Sequence, residues 1–377
     1  MAIRSIERRP LGIAAPLLLL AVAACGAGEG PAPASCEPRL PEVGADVSFV
    51  TEVEALGVAL RDPTGAPVED LLTFYAAQGM SHIRLRLWHT PAGPYSGLAD
   101  VLTLARRAHA AGLGLLLDLH YSDHWADPGK QAKPAAWQDL HGAALEAAVR
   151  DYTRDVVAAL RAQGTLPEVV QLGNEITSGM LWDDGRVGGA FEAQWPDLAR
   201  LLAAGAEGVR AGAAPEASPE VMIHIDRGGD PAAATWFYGA LAAQGVEYDV
   251  IGLSFYPWWH GTQADLQETL AAVGRFDKPV VLVEVAYPFT LTDHDAEPNF
   301  LYQAGALEPG FDATPEGQRA WFDALLDLAE GAGVRGVYWW APEYVGAPGL
   351  PSPWDNMTLF DGDGKALPAF GALCRSP

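Results

Sequence analysis

Cysteine is scarce in this sequence. Three occur in 377 residues, at positions 25, 36 and 374, so no cysteine-based zinc site with paired ligands is available. The nine histidines are too scattered to form the cluster that a metal-dependent hydrolase needs. Basic residues are few as well: 24 Lys and Arg stand against 48 Asp and Glu, for a formal net charge of -24. A surface that neutralises phosphate needs clustered Lys and Arg, and no such patch occurs beyond the extreme N-terminus, which excludes nucleic acid as a partner. No Gly-rich phosphate loop follows the first strand-like run, which weakens a doubly wound open sheet. No Ser/Gly linker or composition break follows residue 36, so one large domain is expected.

Long apolar runs are missing except at the start. Arg4, Arg8 and Arg9 precede the apolar stretch Leu11–Ala24, which is the pattern of a secretory signal and too short for a confident membrane span. Val22-Ala23-Ala24-Cys25 resembles a bacterial lipobox, which implies cleavage before Cys25 and a lipid on its thiol; an ordinary signal peptide with a chance cysteine is the alternative. The expected organisation is a signal peptide over 1–24, a flexible Pro/Gly-rich tether over 25–40, and a single domain over 41–377. An exported, membrane-anchored protein of the bacterial envelope follows, or a secreted one. Cys36 and Cys374 bracket the domain, and a disulfide tying its ends is the simple reading in an exported chain; two free buried thiols are the alternative.

The sequence is rich in alternation. Strand-like apolar runs recur at 45–50, 82–87, 114–120, 168–173, 221–226, 249–256, 279–285 and 335–340. Ala/Leu-rich helical stretches separate most of them, such as 98–111, 143–163, 195–211 and 315–331. Near-continuous apolar strands alternating with helices indicate a parallel sheet, and eight units of this length predict an α/β fold, the (β/α)8 TIM barrel. Active sites of such barrels sit at the C-terminal strand ends. Those ends carry Trp88, Asp118, His120, Asn174, Glu175, His224, Asp226, Tyr256, Trp258, Glu284, Tyr287 and Trp340. Such convergence is hard to ascribe to stability alone.

Two carboxylates stand out. Glu175 follows Asn174 after the run Val169–Leu172, and Glu284 interrupts the apolar "VVLVEVAYP". A glutamate inside such a strand is costly unless paired or functional; Arg84 or Arg86 is its candidate partner. The fourth and seventh strands lie roughly opposite each other, so their ends face across the barrel mouth. Glycoside hydrolysis uses such a pair, with retention when the carboxyls are about 5–5.5 Å apart and inversion when they are farther. Trp88, Trp258 and Trp340 are candidates for stacking on sugar; Trp259 and Trp339, of opposite parity, are expected to pack. Ser122 and His120 in "DLHYSDHWADPGK" suit hydroxyl recognition, while Asp127 and Lys130 are expected to hold that loop. Tyr256 and Tyr287 are expected to hydrogen-bond the nucleophile or substrate.

Six blocks extend this pattern across the chain: "GADVSFVTEVEALGV", "HIRLRLWHTP", "LLLDLHYSDHWADPGKQAKPAAW", "VVQLGNEITSGMLW", "VIGLSFYPWWHGT" and "PVVLVEVAYPFT". In this order they resemble the endo-β-1,4-galactanases of glycoside hydrolase family 53. The resemblance implies a retaining mechanism with Glu175 as general acid/base, Glu284 as nucleophile and Asn174 on the sugar 2-hydroxyl, and no organic cofactor. Met180 and Trp182 would lie near bound sugar, with packing of their loop as the alternative. It implies β-1,4-galactan or type I arabinogalactan as substrate, for a monomer. It also implies a structural calcium ion tying the loops after the last two strands, with Asp293, Asp295, Glu297, Asn299, Ser352 and Asp355 as ligands, though Glu297 stands where the family has histidine. A solvated acidic loop is the alternative. Other readings are a glycosidase acting on another β-1,4-glycan, and a non-catalytic lipoprotein that captures oligosaccharide; the latter has no need of both glutamates.

Overall fold

The structure, a computed structural model, describes residues 37–375; the signal sequence, Cys25 and Cys36 lie outside them. Eight parallel strands close into a barrel: β1 (Glu42–Asp46), β2 (His82–Leu87), β3 (Gly114–Leu119), β4 (Val169–Leu172), β5 (Glu220–Ile225), β6 (Val250–Phe255), β7 (Val280–Val285) and β8 (Gly336–Trp340). Each pairs with its sequence neighbours, and β8 returns to β1. Nine helices are described: α1 (Val50–Ala55), α2 (Leu71–Ala77), α3 (Leu98–Ala110), α4 (Gly142–Ala162), α5 (Trp195–Ala213), α6 (Pro231–Ala243), α7 (Pro257–His260), α8 (Gln263–Val273) and α9 (Pro315–Gly331). The expected TIM barrel is therefore present.

The first strand departs from its expected bounds. It runs from Glu42 to Asp46, and the apolar Val47–Val50 run already leads into α1. Residues 42–50 are all buried, so apolarity does not separate strand from loop here. Glu42 is tolerated in the wall because it pairs with Arg335 Nε at 2.8 Å and accepts the Tyr338 hydroxyl at 3.0 Å.

The barrel interior changes character along its axis. A small apolar floor is made by Leu116, Val169, Met222, Val250, Val281, Val283 and Tyr338. Two residues further along, Leu116 gives way to Asp118, Val169 to Gln171 and Met222 to His224, as the strand period of two requires. Strand β7 breaks that count. Its register shifts against both neighbours: Leu282 pairs Leu253, but Glu284 pairs Ser254, and a matching shift occurs against β8. A bulge of this kind inserts one residue and re-aims the next side chain. Val283 therefore stays in the floor while Glu284 joins the polar layer above it.

Candidate active site

The end of β4 explains how a core strand delivers a carboxylate. Gly173 sits at φ +81°, and a Cβ there would come within 2.6 Å of Ile176 Cγ2, so only glycine fits the turn. Glu175 follows in the left-handed region, φ 48°, a conformation that costs a non-glycine residue about 1–3 kcal/mol and concentrates at functional sites. The turn points Glu175 over the mouth, where Ser254 Oγ donates to its Oε1 at 2.7 Å.

Arg84 is the hub beneath it. The guanidinium is 1% exposed and contacts Asp46 at 2.8 Å, Asp118 at 2.8 Å and Glu284 at 2.8 Å. It also donates to Asn174 Oδ1 at 2.8 Å. Gln171 Nε2 donates to Asp118 Oδ1 at 2.7 Å, and His120 Nε2 lies 2.9 Å from Asp118. Such a net charge cluster is tolerable in the interior only when each group is paired and hydrogen-bonded. Of the two partners foreseen for Glu284, Arg84 is the one that pairs with it. Arg86 instead lies against the rings of Phe49, Trp88 and Trp125, at 4.5, 4.9 and 4.1 Å.

The two glutamates sit in different fields. Burial raises the Glu175 carboxyl well above the ordinary range, and the charges of Glu284 and Asp226 add to the rise. Burial also raises Glu284, to about 7, but Arg84 and the Tyr256 hydroxyl, donating to Oε2 at 2.8 Å, pull it down. Both carboxyls are raised, but Arg84 and Tyr256 favour the anion on Glu284 while neighbouring acids favour the proton on Glu175, and that inequality is what nucleophile and acid require. The pair is electrostatically coupled, so discharging Glu284 lowers the proton affinity of Glu175.

A pocket of about 630 Å³ opens above this pair. Its walls include Asn174, Glu175, Asp226, His120, Tyr256, Glu284 and Trp340 among the residues foreseen. Asp127 and Lys130, expected only to brace their loop, also line it and pair at 3.1 Å. Asp226 accepts the Thr177 hydroxyl at 2.5 Å and pairs with Arg227 at 2.8 Å.

Other foreseen contacts fall outside the pocket wall. Asp118 is fully buried under Arg84 and works through it. Trp88 sits edge-on to Trp125 at 5.2 Å, behind the wall. Ser122 is buried and does not line the pocket. Trp182 donates to Ser178 O at 2.9 Å and carries Arg186 over its ring at 4.1 Å; Met180 is buried. Tyr287 corrects an expectation: its hydroxyl donates to Phe311 O at 2.8 Å and its ring stacks on Trp321 at 4.8 Å. Once the bulge turns Glu284 inward, Tyr287 three residues later faces the helices. The tryptophan pair after β6 is also exchanged. Trp258 packs half-buried against Trp354 at 5.7 Å, while Trp259 is 53% exposed and lines the pocket. The chain turns into α7 at Pro257, so strand parity no longer applies there.

Sequence reasoning missed Trp125, Phe300, Tyr344 and Trp354, all in the wall. They stand on loops without periodicity. Ser254 had a signal: it is two residues before Tyr256, on the same inward face of β6. Behind the wall, the buried Glu343 accepts Phe49 N–H at 3.3 Å and the Tyr75 hydroxyl at 3.0 Å. It thereby fixes the loop on which Tyr344 stacks against Phe49 at 3.8 Å.

The foreseen metal ligands gather in part. Carboxylate oxygens of Asp293, Asp295 and Asp355 all lie within 4.8 Å of one another. Asn299 is buried, donates to Asp355 Oδ1 at 2.8 Å, and leaves its own Oδ1 without a partner. Ser352 is buried alongside, its N–H donating to Asp295 Oδ2 at 2.7 Å. Glu297 does not join. Its N–H donates to Asp295 Oδ1 at 2.6 Å, closing a turn, and its side chain is exposed outside the cluster. At the chain ends, Cys374 is disulfide-bonded, and Arg375 N–H donates to Glu37 O at 3.0 Å.

A (β/α)8 barrel with a half-buried Glu175 after β4 and a buried Glu284 on β7, over an arginine hub and under an aromatic wall, defines a glycosidase of the two-carboxylate kind. The family model of glycosyl hydrolase family 53 matches residues 42–373, and the chain belongs to that family. It is 43% identical over 343 residues to an uncharacterised protein of Niallia circulans, covering 88% of this chain and 93% of that one. It is 39% identical over 342 residues to an arabinogalactan endo-β-1,4-galactanase of Cellvibrio japonicus, covering 87% and 89%. Among solved structures, the family 53 catalytic domain of Ignisphaera aggregans superposes with a TM-score of 0.83 at 33% identity, covering 89% of this chain and 96% of that one.

Proposed function

We propose that this protein is an endo-acting β-1,4-galactanase that cleaves galactan or type I arabinogalactan with retention of configuration. The carrying observation is the unequal pair: Glu284 held by Arg84 and Tyr256, Glu175 held by Ser254 alone beside two other acids. Glu175 protonates the glycosidic oxygen as the Glu284 carboxylate attacks the anomeric carbon. The bond to the leaving chain breaks, and a galactosyl ester forms on Glu284. Esterification removes the Glu284 charge, so the proton affinity of Glu175 falls and it becomes a base. It takes a proton from water, whose oxygen attacks the anomeric carbon and releases Glu284. Asn174 keeps an amide N–H for the sugar 2-hydroxyl, since one of its two donates to Ala126 O. That contact strengthens as positive charge develops on the ring. The substrate assignment rests on family relatives named as galactanases.

Asp293, Asp295, Asp355 and the Asn299 carbonyl fit a hard cation that prefers oxygen ligands. Calcium there would tie the loops after β7 and β8, which carry Phe300 and Trp354 of the wall. The neighbouring chain ends support a Cys36–Cys374 disulfide, and the lipobox motif supports a lipid anchor at Cys25. Intact mass of the protein purified from bacterial membranes, with and without thiol reduction, tests both.

The test of the reaction is product release from β-1,4-galactan, with mannan and xylan as controls, by wild type and by Glu175→Gln and Glu284→Gln. Short galacto-oligosaccharides, initially as the β-anomer by NMR, from wild type alone support the reading. Cleavage of another glycan would overturn the substrate; binding of galactan without cleavage would favour the capture protein.

A further inference from the structure

The reaction above makes no use of His224, a fully buried titratable side chain on β5. The strand period places it inward, one step above Met222 of the barrel floor. Its register partner on β6 is Gly252. A Cβ there would come 2.9 Å from Met222 Sδ and 3.2 Å from His224 Cβ, so glycine leaves room for the imidazole. Two residues beyond Gly252 stands Ser254, also fully buried. His224 Nε2 lies 2.8 Å from Ser254 Oγ, and Ser254 Oγ donates to Glu175 Oε1 at 2.7 Å. A buried imidazole thus reaches the general acid through one hydroxyl.

The place of each hydrogen follows by elimination. A serine hydroxyl has one hydrogen. Ser254 gives it to Glu175, so its oxygen accepts from His224, and Nε2 carries the ring hydrogen. Nδ1 is then bare, and it faces two donors: Gln171 Nε2 at 3.0 Å and the Glu175 N–H at 3.4 Å. Asn174 Oδ1 also lies 3.2 Å from Nδ1, but it already accepts from Arg84. A second ring proton is opposed by burial first and by the Arg84 charge on β2 next, with His120 past β3 and His260 in α7 adding; together they hold His224 well below the ordinary histidine value. The acids Glu284 and Asp226 act on Glu175 at the other end of the chain. The two oxygens of Glu175 are thereby made unequal. Oε1 is taken by the Ser254 hydrogen, while Oε2 accepts no hydrogen bond among the described residues, and Glu175 lines the pocket. A proton on Oε1 would meet the Ser254 hydrogen head-on; a proton on Oε2 is free for the glycosidic oxygen.

We propose that His224, locked as the Nε2–H tautomer, is a positioning residue that aims the Ser254 hydrogen at Oε1 and so keeps the transferable proton of Glu175 on Oε2. The inference rests on the acid/base role given to Glu175 above. No proton travels along the chain. Its two hydrogens stay in place through both half-reactions, and only the one on Oε2 leaves for the glycosidic oxygen and returns from water. Donors fixed in this way need no reorganisation as charge develops on Glu175.

The test begins with the wild type. Nitrogen NMR of isotope-labelled histidine should show one ring with a protonated Nε2 and a bare Nδ1 that does not titrate between about pH 5 and 8, and that is missing from His224→Phe and His224→Gln. An Nδ1–H tautomer or an ordinary titration there would overturn the inference. Kinetics then separate positioning from packing. One substrate is β-1,4-galactan; the other is a dinitrophenyl β-1,4-galactobioside, whose leaving group departs without a proton. His224→Phe should lower kcat/KM on galactan about 10-fold, move its alkaline limb to higher pH, and leave kcat/KM on the dinitrophenyl substrate near the wild-type value. His224→Gln can present an amide N–H to Ser254 and should recover much of the loss. Adding Ser254→Ala to His224→Phe should move the limb no further than Ser254→Ala alone, because His224 acts through Ser254. Equal losses on both substrates, or additive shifts, would overturn the inference in favour of packing. Glu175→Gln guards the premise. Galactan cleavage retained by that variant would remove the acid/base reading and this inference with it; cleavage lost there beside unchanged kinetics in His224→Phe would overturn this inference alone.

Discussion

The molecule solves the problem of crowded carboxylates in two ways. At the barrel mouth, Asp46, Asp118 and Glu284 converge on one buried guanidinium, that of Arg84. In the loops after β7 and β8, Asp293, Asp295 and Asp355 converge with no Lys or Arg paired to them among the described residues. The difference follows from the scaffold. Strands hold a planar guanidinium in register with several acids at once, and its fixed fork suits that task. Loops lack such fixed positions, and a cation with flexible oxygen coordination can gather acids that a side chain cannot reach. The first cluster sets the charge around Glu175 and Glu284; the second lies in the loops that carry Phe300 and Trp354 of the wall.

The sharpest test of the comparison is Arg84→Met. It leaves three acids facing one another, and breaking a buried ion pair costs roughly 3–5 kcal/mol. We expect a urea midpoint lowered accordingly and kcat reduced at least about 1,000-fold, as both nucleophile charge and Asn174 position are lost. A variant of normal stability and activity would show that the hub is dispensable.

Glu343 probes a carboxyl with no cation at all. Burial pushes it to about 8, against hydrogen bonds from Tyr75 and Phe49. Its folded value lies above the ordinary value of 4.5, so its contribution to stability is complete below pH 4.5 and is lost as pH rises toward 8. Glu343→Gln accepts Phe49 N–H on its amide oxygen and donates an N–H to the Tyr75 hydroxyl oxygen, with no proton to lose. It should match wild type near pH 4 and exceed it by roughly 3 kcal/mol at pH 7. Urea titrations at the two pH values check the sign; a variant less stable at pH 7 would refute it.

The loop cluster should respond to cation where the hub does not. Calcium at 100 times its Kd should stabilise the protein by about 2.7 kcal/mol, read as a Tm shift reversed by chelator and abolished in Asp355→Asn. Equal Tm with calcium and with chelator would leave an acidic loop and dissolve the comparison.

The smallest effect expected is at Ser254. Removing its hydroxyl deletes one hydrogen bond to the ionised form of Glu175, on the order of 1 kcal/mol. The Glu175 carboxyl then rises further, so the alkaline limb of kcat/KM in Ser254→Ala should move to higher pH. Movement to lower pH would assign Ser254 another role.

The barrel was legible because near-continuous apolar strands and amphipathic helices alternate along the chain, and period alone reveals them. Glu175 and Glu284 were legible because a carboxylate in an apolar run has few structural excuses. Composition and motif also determined the polar layer at the strand ends, with Arg84 or Arg86 as the partner for Glu284; the structure chose Arg84. Tertiary structure decided the rest. The bulge at Val283 points Glu284 inward and Tyr287 away, and no local pattern encodes a register shift that depends on two neighbouring strands. The turn at Pro257 brings out Trp259 rather than Trp258. Trp125, Phe300, Tyr344 and Trp354 reach the pocket from the three loops after β3, β7 and β8, and Glu297 turns outward while Asp355, far along the chain, turns in. Periodicity reports which face of an element is buried; where irregular segments meet is set by packing between parts distant in the chain, and only the folded molecule contains that information.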